Sequence, residues 1–287
     1  MTYRCFNVEI ANNIAHIQLK RGDELNTMVP EFWTELPAIV KDIDEQARAR
    51  VIVISSTGKH FSGGMDLAVF TGGNSAGTAA SRSAQEKGRV RANLRLSVLD
   101  IQESFNVLEK ARVPVLIAIQ GGCVGGAVDM ASACDCRYAT EDAFFVIQEI
   151  NIGMTADVGT FPRLCNLMPT GMVRELAYSG RRLPAKKAMQ LGLVNEVFAS
   201  QEEMLKHVMS IAKDIADKSP LAVYGSKVMI NYARDHTVAD GLDYIATWQA
   251  GMYHPEVDMM EAFKAKNEKR PGKFDELLPV RKRALEG

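Results

Sequence analysis

Short β-branched runs that alternate with longer amphipathic segments constrain the fold of this chain more than any other feature of its sequence. Strand-like runs at 8–10, 14–19 and 51–56 flank a helical pattern over 30–44, and another apolar run follows at 115–119. Strands that alternate with helices are typical of α/β proteins. The first part of the chain is therefore predicted to be an α/β core.

The pattern changes near residue 200, after which every periodic segment is helical. The predicted helices lie at 201–217, 220–234, 238–252 and 255–269. With 287 residues, 47% of them hydrophobic, the chain has ample material for one large core and a smaller helical appendage. We predict an α/β core over 1–199 that carries the ligand site, and a C-terminal helical subdomain over 200–287.

A polar stretch of small residues at 71–84 contains the sequence GGNSAG and leads into a long amphipathic helix that ends near residue 112. Glycine-rich connections of this kind lie on the surface and often border binding sites. We expect a flexible loop over a cleft at this position.

Charge and composition exclude several classes of protein. The formal net charge is −1 and the pI is near 6.5, so no overall basic field exists to hold nucleic acid or an anionic membrane surface. No apolar run approaches the roughly 20 residues that span a bilayer.

The N-terminus begins without a signal core or presequence, so the cytoplasm is the expected location. The five cysteines are expected to be reduced, and no metal site is predicted, because no histidine pair completes a ligand set.

Asp129 is the first candidate catalytic residue. It lies in GGAVDMASA at 125–133, a predicted helix so apolar and small-sided that it must pack closely against its neighbours. A buried carboxylate without partners costs several kcal/mol. Asp129 therefore needs either a structural partner or a functional cleft, and we favour the cleft.

The turn before that helix, GGCVGG at 121–126, follows a buried strand and can present free backbone N–H groups to an anion. The spacing does not match the G-x-G-x-x-G of dinucleotide-binding folds, and no Walker motif occurs elsewhere. An oxyanion hole needs only close backbone approach, which glycines permit. The turn is thus a candidate oxyanion site.

Glu149 and Asp157 lie farther along, in EINIGMTADVG at 149–159. Each has an ordinary structural alternative. Asp157 precedes a helical run and could be an N-cap worth about 1 kcal/mol. Glu149 could pair with a surface arginine. The residues by themselves leave both alternatives open.

Together these segments resemble the enoyl-CoA hydratase/isomerase family, also called the crotonase family. The sequence KHFSGGMDL at 59–67 is similar to the family's K-x-F-[SC]-x-G-x-D-[LI] oxyanion segment, and VPVLIAIQG at 113–121 is similar to its P-V-I-A-A-[VI]-x-G strand. The resemblance implies a crotonase-like α/β fold with a ββα spiral core and a C-terminal helical subdomain. It also implies that the backbone N–H groups of Met65 and Gly126 hold a thioester carbonyl.

The acidic residues resemble one subgroup of the family, the dienoyl-CoA isomerases, whose pattern is Asp, Glu, Asp in the order of Asp129, Glu149 and Asp157. A typical hydratase of the family has glutamate at the first two positions. One departure is Ala127, which replaces the third glycine of the usual G-G-G. The resemblance implies isomerisation of 3,5-dienoyl-CoA to 2,4-dienoyl-CoA, with Glu149 as the base at C2 and Asp129 as the acid at C6.

Three carboxylates in one apolar cleft are expected to titrate as a coupled unit, with at least one protonated near neutral pH. Asp157 could raise the proton affinity of a neighbour or keep water from the intermediate, and the sequence leaves both roles open. No cofactor is expected beyond the CoA thioester, which is the substrate. An enoyl-CoA hydratase, a delta(3)-delta(2)-enoyl-CoA isomerase and a non-catalytic crotonase-like scaffold are the alternatives.

The CoA end of the ligand carries phosphates and should meet basic side chains. The candidates, together with one aromatic residue suited to the adenine end, are Arg21, Lys59, Lys269, Arg270 and Phe274. His60 is near the oxyanion segment but has no visible partner in the sequence, which favours an ordinary loop residue. The resemblance further implies a homo-oligomer, either a trimer or a dimer of trimers.

Overall fold

A computed structural model of the chain describes residues 2–66, 68–71, 84–252 and 255–280. Its strands are β1 Phe6–Ala11, β2 Ile14–Leu19, β3 Val51–Ser56, β4 Val115–Ile119, β5 Gly122–Val124, β6 Cys136–Thr140, β7 Phe144–Val146, β8 Leu183–Pro184 and β9 Glu196–Phe198. Its α-helices are α1 Pro30–Glu45, α2 Ala68–Thr71, α3 Ala84–Lys110, α4 Gly126–Ala133, α5 Thr160–Leu167, α6 Thr170–Ser179, α7 Ala185–Gln190, α8 Gln201–Ala216, α9 Pro220–Asp235, α10 Val238–Met252 and α11 Met260–Glu268. Pro255–Met259 forms a π-helical turn before α11.

The larger sheet has the strand order β1-β2-β3-β4-β6-β9. β1 and β2 form an antiparallel hairpin, and all the other neighbours are parallel. Every residue of β3 and β4 is buried, which is why both read as continuous apolar runs rather than as alternating patterns. The carboxyl ends of these two strands lead directly into the turns that form the candidate site.

Helices cover both faces of this sheet. One face packs against α1, α3 and α4 in the main core, where Phe32, Phe105 and Met130 are fully buried. The other face packs against α8 through Met204 and Val208. α8 buries the apolar side chains of one face against the sheet, and such burial is the main stabilising contribution to folding. α8 is therefore part of the α/β core.

Part of the predicted glycine-rich turn forms a short strand, β5, which belongs to a smaller sheet of order β5-β7-β8. β5 pairs in parallel with β7, which pairs antiparallel with β8. The pairing continues past the end of β5, since the Gly125 N–H donates to the carbonyl of Val146. This sheet therefore sets the position of the turn that begins α4.

Most of the predicted elements occur where the sequence placed them, with ends that differ by a residue or two. The predicted division at residue 199 separates β9 from α8, although α8 packs on the same sheet as β9, so the helical appendage of this structure begins after α8. The loop predicted at 71–84 lies almost wholly outside the described residues. None of the described helices is long and apolar enough to cross a membrane.

Candidate active site

The two segments predicted to hold a thioester carbonyl lie against each other. A Cβ built on Gly64 would lie 2.5 Å from the carbonyl oxygen of Val124 and 3.5 Å from the amide nitrogen of Gly126. Gly64 also has φ +83°, a conformation that residues with a side chain rarely adopt. Only glycine therefore allows residues 62–65 to approach the start of α4 this closely.

The N–H groups of both predicted donors have no acceptor within the bridge or helix to which each donor belongs. Met28 bonds to the residues on either side of Met65, with its N–H on the Gly64 carbonyl and its carbonyl on the Asp66 N–H. In such a parallel bridge the N–H of Met65 points away from Met28. Gly126 is the first residue of α4, so its N–H has no acceptor within the helix. This arrangement fits an oxyanion hole.

Side chains next to this turn hold its shape. The Ser62 hydroxyl donates to the carbonyl of Asn26 at 2.8 Å and accepts from the Gly64 N–H at 3.1 Å. His60 Nδ1 accepts from the Gly122 N–H at 2.9 Å. His60 does lie in a loop, as the sequence indicated, but it has a partner that the sequence did not show. Its bond to β5 crosses 62 residues of sequence, so no local pattern indicates it.

Asp129 is 1% exposed and lies in the first turn of α4, where small neighbours leave room for its carboxyl group. Its Oδ1 accepts from the backbone N–H of Thr160 at 2.6 Å and from the Thr160 hydroxyl at 2.7 Å. Its Oδ2 is buried without a hydrogen-bond partner among the described residues. Burial raises the pKa of Asp129 to about 6, while the Thr160 hydrogen bonds oppose the rise.

Glu149 begins a 3-10 turn, Glu149–Ile152, directly after β7. A Cβ built on Gly125 would lie 3.0 Å from its Oε1, so the carboxyl group lies beside the residue that precedes the predicted Gly126 donor. Its Oε2 is buried and has no hydrogen-bond partner within the described part of the chain. Burial, with smaller contributions from Asp129 and Asp157, raises the pKa of Glu149 to about 7.

Asp157 lies in the loop before α5, but it is not the helix cap. The N-cap of α5 is Gly159, whose position carries no side-chain cap. The N-cap alternative for Asp157 was therefore wrong, because the helix begins two residues later than the pattern indicates. The loop is held to α3 by Gln102, which donates to the Asp157 carbonyl at 2.6 Å. Asp157 is exposed, but partial desolvation of its carboxyl group raises its pKa, and its charge raises the pKa of both Asp129 and Glu149.

The structure thus places the three predicted carboxylates within electrostatic reach of one another, with Glu149 beside the glycine turn. Because the pKa values of Asp129 and Glu149 are raised to about 6 and about 7, the two carboxyl groups titrate together near neutral pH, and the cluster is partly protonated there. Thr160 stabilises the ionised form of Asp129, and backbone hydrogen bonds at Gln148 and Glu149 do the same for Glu149, which still has the higher pKa, about 7 against about 6. Glu149 is consequently the stronger base, and a protonated Asp129 is the stronger acid.

The five candidates for CoA contacts do not lie together. Lys59 is exposed at the oxyanion turn, where its carbonyl is beside Gly121. The Arg21 guanidinium is mostly buried and bonds to the carbonyl of Thr27 and to Glu24. The side-chain donors of Arg21 are thus directed into its own turn, and a contact of Arg21 with CoA stays a prediction.

The C-terminal candidates lie in the segment that follows α11. Arg270 is bound by Glu261 at 2.6 Å and Glu268 at 2.5 Å. The carbonyl of Phe274 accepts from Arg50, which precedes β3, whereas the oxyanion segment follows the other end of that strand. Phe274, with Lys269 on the same segment, does not reach the oxyanion turn of its own chain. The contact of this segment with the adenine end of CoA stays a prediction.

Among the described residues, no group of three or more His, Cys, Asp or Glu side chains is arranged to hold a metal ion. Thr160 is the functional candidate that the sequence did not indicate. The only signal was its position after Gly159 at the start of a helical run. Which carboxylate it holds depends on contacts across 31 residues.

The fold is the crotonase fold. An enoyl-CoA hydratase from Bacillus anthracis superposes with a TM-score of 0.83 at 28% identity, covering 94% of this chain and 99% of that one. The chain belongs to the enoyl-CoA hydratase/isomerase family, whose sequence model matches residues 9–276.

Two relatives share more of the sequence. The mitochondrial Delta(3,5)-Delta(2,4)-dienoyl-CoA isomerase of Mus musculus is 40% identical over 262 residues, which cover 91% of this chain and 78% of that protein. The peroxisomal Delta(3,5)-Delta(2,4)-dienoyl-CoA isomerase of Arabidopsis thaliana is 38% identical over 266 residues, covering 93% of this chain and 94% of that protein.

Proposed function

We propose that this protein is a dienoyl-CoA isomerase that converts 3,5-dienoyl-CoA to 2,4-dienoyl-CoA. The observation that carries the proposal is that Asp129, Glu149 and Asp157, from three separate segments of the chain, lie within electrostatic reach of one another, with Glu149 beside the glycine turn. The names of the relatives that are 38–40% identical support the same substrate class.

The reaction removes one proton from C2 and adds one at C6. In the proposed mechanism Glu149 takes the C2 proton, and the electron pair spreads over the diene to the thioester oxygen. The N–H groups of Met65 and Gly126 stabilise that oxyanion, an interaction worth about 2.7 to 4 kcal/mol per donor in comparable enzymes. The extended anion then takes a proton at C6 from Asp129, which leaves double bonds at C2 and C4.

The carboxylate environments support this division of work. The raised pKa of Glu149 makes it an effective base near neutral pH. In the reactive arrangement Glu149 is ionised and Asp129 is protonated. This is the less populated of the two positions of a single proton, because the pKa of Glu149, about 7, lies above that of Asp129, about 6. The hydrogen bonds from Thr160 make Asp129 the better proton donor once it is protonated. After turnover the proton resides on Glu149 and must return to Asp129, directly or through solvent, before the next cycle.

Asp157 contributes by its charge in this proposal. It raises the pKa of both other carboxyls, which favours retention of the shared proton in the cluster.

No cofactor is part of the proposed mechanism, because both steps are proton transfers. We further propose that the protein forms a homotrimer or a dimer of trimers, which light scattering tests. We also propose that it is located in the cytoplasm, which cell fractionation tests.

The deciding experiment mixes the purified protein with a 3,5-dienoyl-CoA and follows absorbance. The 2,4-diene is conjugated with the thioester, so its absorption lies at longer wavelength than that of the substrate. We expect the long-wavelength band to grow catalytically, with the matched 2-enoyl-CoA hydrated much more slowly. Rapid hydration of the 2-enoyl-CoA without dienoyl-CoA turnover would make the protein a hydratase instead.

A further inference from the structure

The two oxygens of the Asp129 carboxyl group have different environments. Oδ1 accepts both hydrogen bonds from Thr160, whereas Oδ2 is buried without a partner among the described residues. A protonated carboxyl group has one oxygen that accepts and one that donates. With two donors already directed at Oδ1, the proton has room only on Oδ2.

The local structure explains why Thr160 provides both donors. It is the first residue of α5, so its backbone N–H has no acceptor within that helix. α5 packs against α4, which brings the start of α5 to Asp129, and Thr160 is itself 1% exposed. The positive end of the α5 dipole adds to the field at Oδ1.

We propose that Thr160 is a positioning residue that holds Asp129 by Oδ1, so that the acid proton is carried by Oδ2 and delivered from that oxygen to C6. This inference rests on the proposed isomerase function. Thr160 need not touch the substrate; it determines the orientation and the acidity of the group that does.

Other charged groups also act on Asp129. Asp157 of the preceding loop raises its pKa, and Arg163 of α5 lowers it. Arg163 is held to α3 by Glu109 at 2.8 Å and Asn106 at 2.6 Å. Glu149 acts from the 3-10 turn, and the buried Cys123 thiol faces Asp129 from β5. A variant of Thr160 that leaves these groups in place isolates the contribution of its hydroxyl.

The test compares Thr160→Val, which keeps the side-chain shape and the backbone N–H but lacks the hydroxyl, with Thr160→Ser, which retains the hydroxyl. We expect Thr160→Val to lower kcat for dienoyl-CoA isomerisation about tenfold, as the loss of one hydrogen bond to a charged group predicts. Deuterium incorporation at C2 of recovered substrate should fall much less. The limb of the pH profile that belongs to Asp129 should move to higher pH, and Thr160→Ser should restore all three properties.

Equal losses of exchange and isomerisation, or a valine variant with wild-type kcat and pH profile, would overturn the inference. Circular dichroism and melting temperature establish that each variant is folded. If Thr160→Val does not fold, Thr160→Ala provides the same comparison with a smaller side chain. A wild-type protein without dienoyl-CoA turnover would instead reject the proposed function, so the two failures are distinguishable.

Discussion

The oxyanion turn and the carboxylate cluster lie side by side in this protein, yet they are built in different ways. The turn uses backbone N–H groups, and its requirements are met by glycines such as Gly64 and Gly125. The cluster uses side chains from α4, a 3-10 turn and a loop. The turn is therefore defined by close approach of backbone, and the cluster by burial and hydrogen bonding of charge.

This difference has energetic consequences. A backbone donor has no protonation state near neutral pH, so the turn should respond to steric changes and little to pH. Asp129 and Glu149 each have one buried carboxyl oxygen without a hydrogen-bond partner among the described residues, so these two groups should respond strongly to pH and to removal of charge. Variants that separate steric from electrostatic effects test this contrast.

The largest effect is expected from Glu149→Gln. The amide keeps the shape of the side chain but cannot accept the C2 proton, and loss of a general base commonly costs 10²–10⁴-fold in rate. We expect isomerisation and C2 exchange to disappear together while binding of the CoA ester is nearly unchanged. The matched control is Glu141→Gln, which alters an exposed ion pair with Lys186. Full C2 exchange by Glu149→Gln would remove this residue from the role of base.

Gly64→Ala should damage the turn without altering any charge. Its Cβ would lie 2.5 Å from the Val124 carbonyl at a φ of +83°, so the donors at Met65 and Gly126 must separate. We expect kcat to fall about 10²–10³-fold, the loss typical of an oxyanion donor, with no change in the shape of the pH profile.

Gly63→Ala is the control, because its Cβ meets only ordinary contacts at 3.6 Å or more. It should retain nearly full activity. Equal activity of the two alanine variants would show that the close approach at Gly64 is not needed for catalysis.

Stability should depend on pH through the cluster. Asp129 has a pKa of about 6 in the folded protein and an ordinary value near 3.8 when unfolded, so the folded state holds the proton more tightly. Its contribution is complete below the unfolded value and is lost as pH rises to about 6. A difference of about two pKa units corresponds to about 3 kcal/mol.

Urea unfolding between pH 4.5 and 7.5 measures this effect. We expect the wild-type protein to lose free energy of unfolding relative to Asp129→Asn as pH rises, because the variant lacks the titrating group. Glu149 adds a similar loss that extends to about pH 7 in both proteins. A constant difference between the two proteins across this range contradicts the raised pKa of Asp129.

The smallest effect is expected from Asp157→Asn. Because Gly159 is the N-cap of α5, the melting temperature should stay near that of the wild type. Loss of the charge lowers the pKa of Asp129 and Glu149, so turnover should fall roughly tenfold and the pH profile should move to lower pH. Asp214→Asn, an exposed change on α8, is the control. An Asp157→Asn profile that overlays that of Asp214→Asn would exclude Asp157 from the cluster.

Much of the fold was predictable because its elements have strong local patterns. β3 and β4 are continuous apolar runs, and α1 begins at Pro30, a residue suited to the first helical turn. The start of α5 was misplaced, because Asp157 is a good capping residue and Gly159 is a poor signal. The side chains that hold the oxyanion turn escaped prediction, since the Asn26 amide donates to the carbonyls of Thr57 and His60, and His60 accepts from Gly122, all far away in sequence.

The sequence by itself determined the alternation of strands and helices and the glycines that permit close backbone approach. It also determined that one carboxylate lies in a helix so apolar that the helix, and the carboxylate with it, must be buried. These are local properties of residue type and spacing. Only the tertiary structure decided that Glu149 lies beside Gly125 and that Thr160 holds Asp129. Contacts of this kind follow from the packing of α4, α5 and β7 around one core, and the same side chains in another packing would bond to solvent.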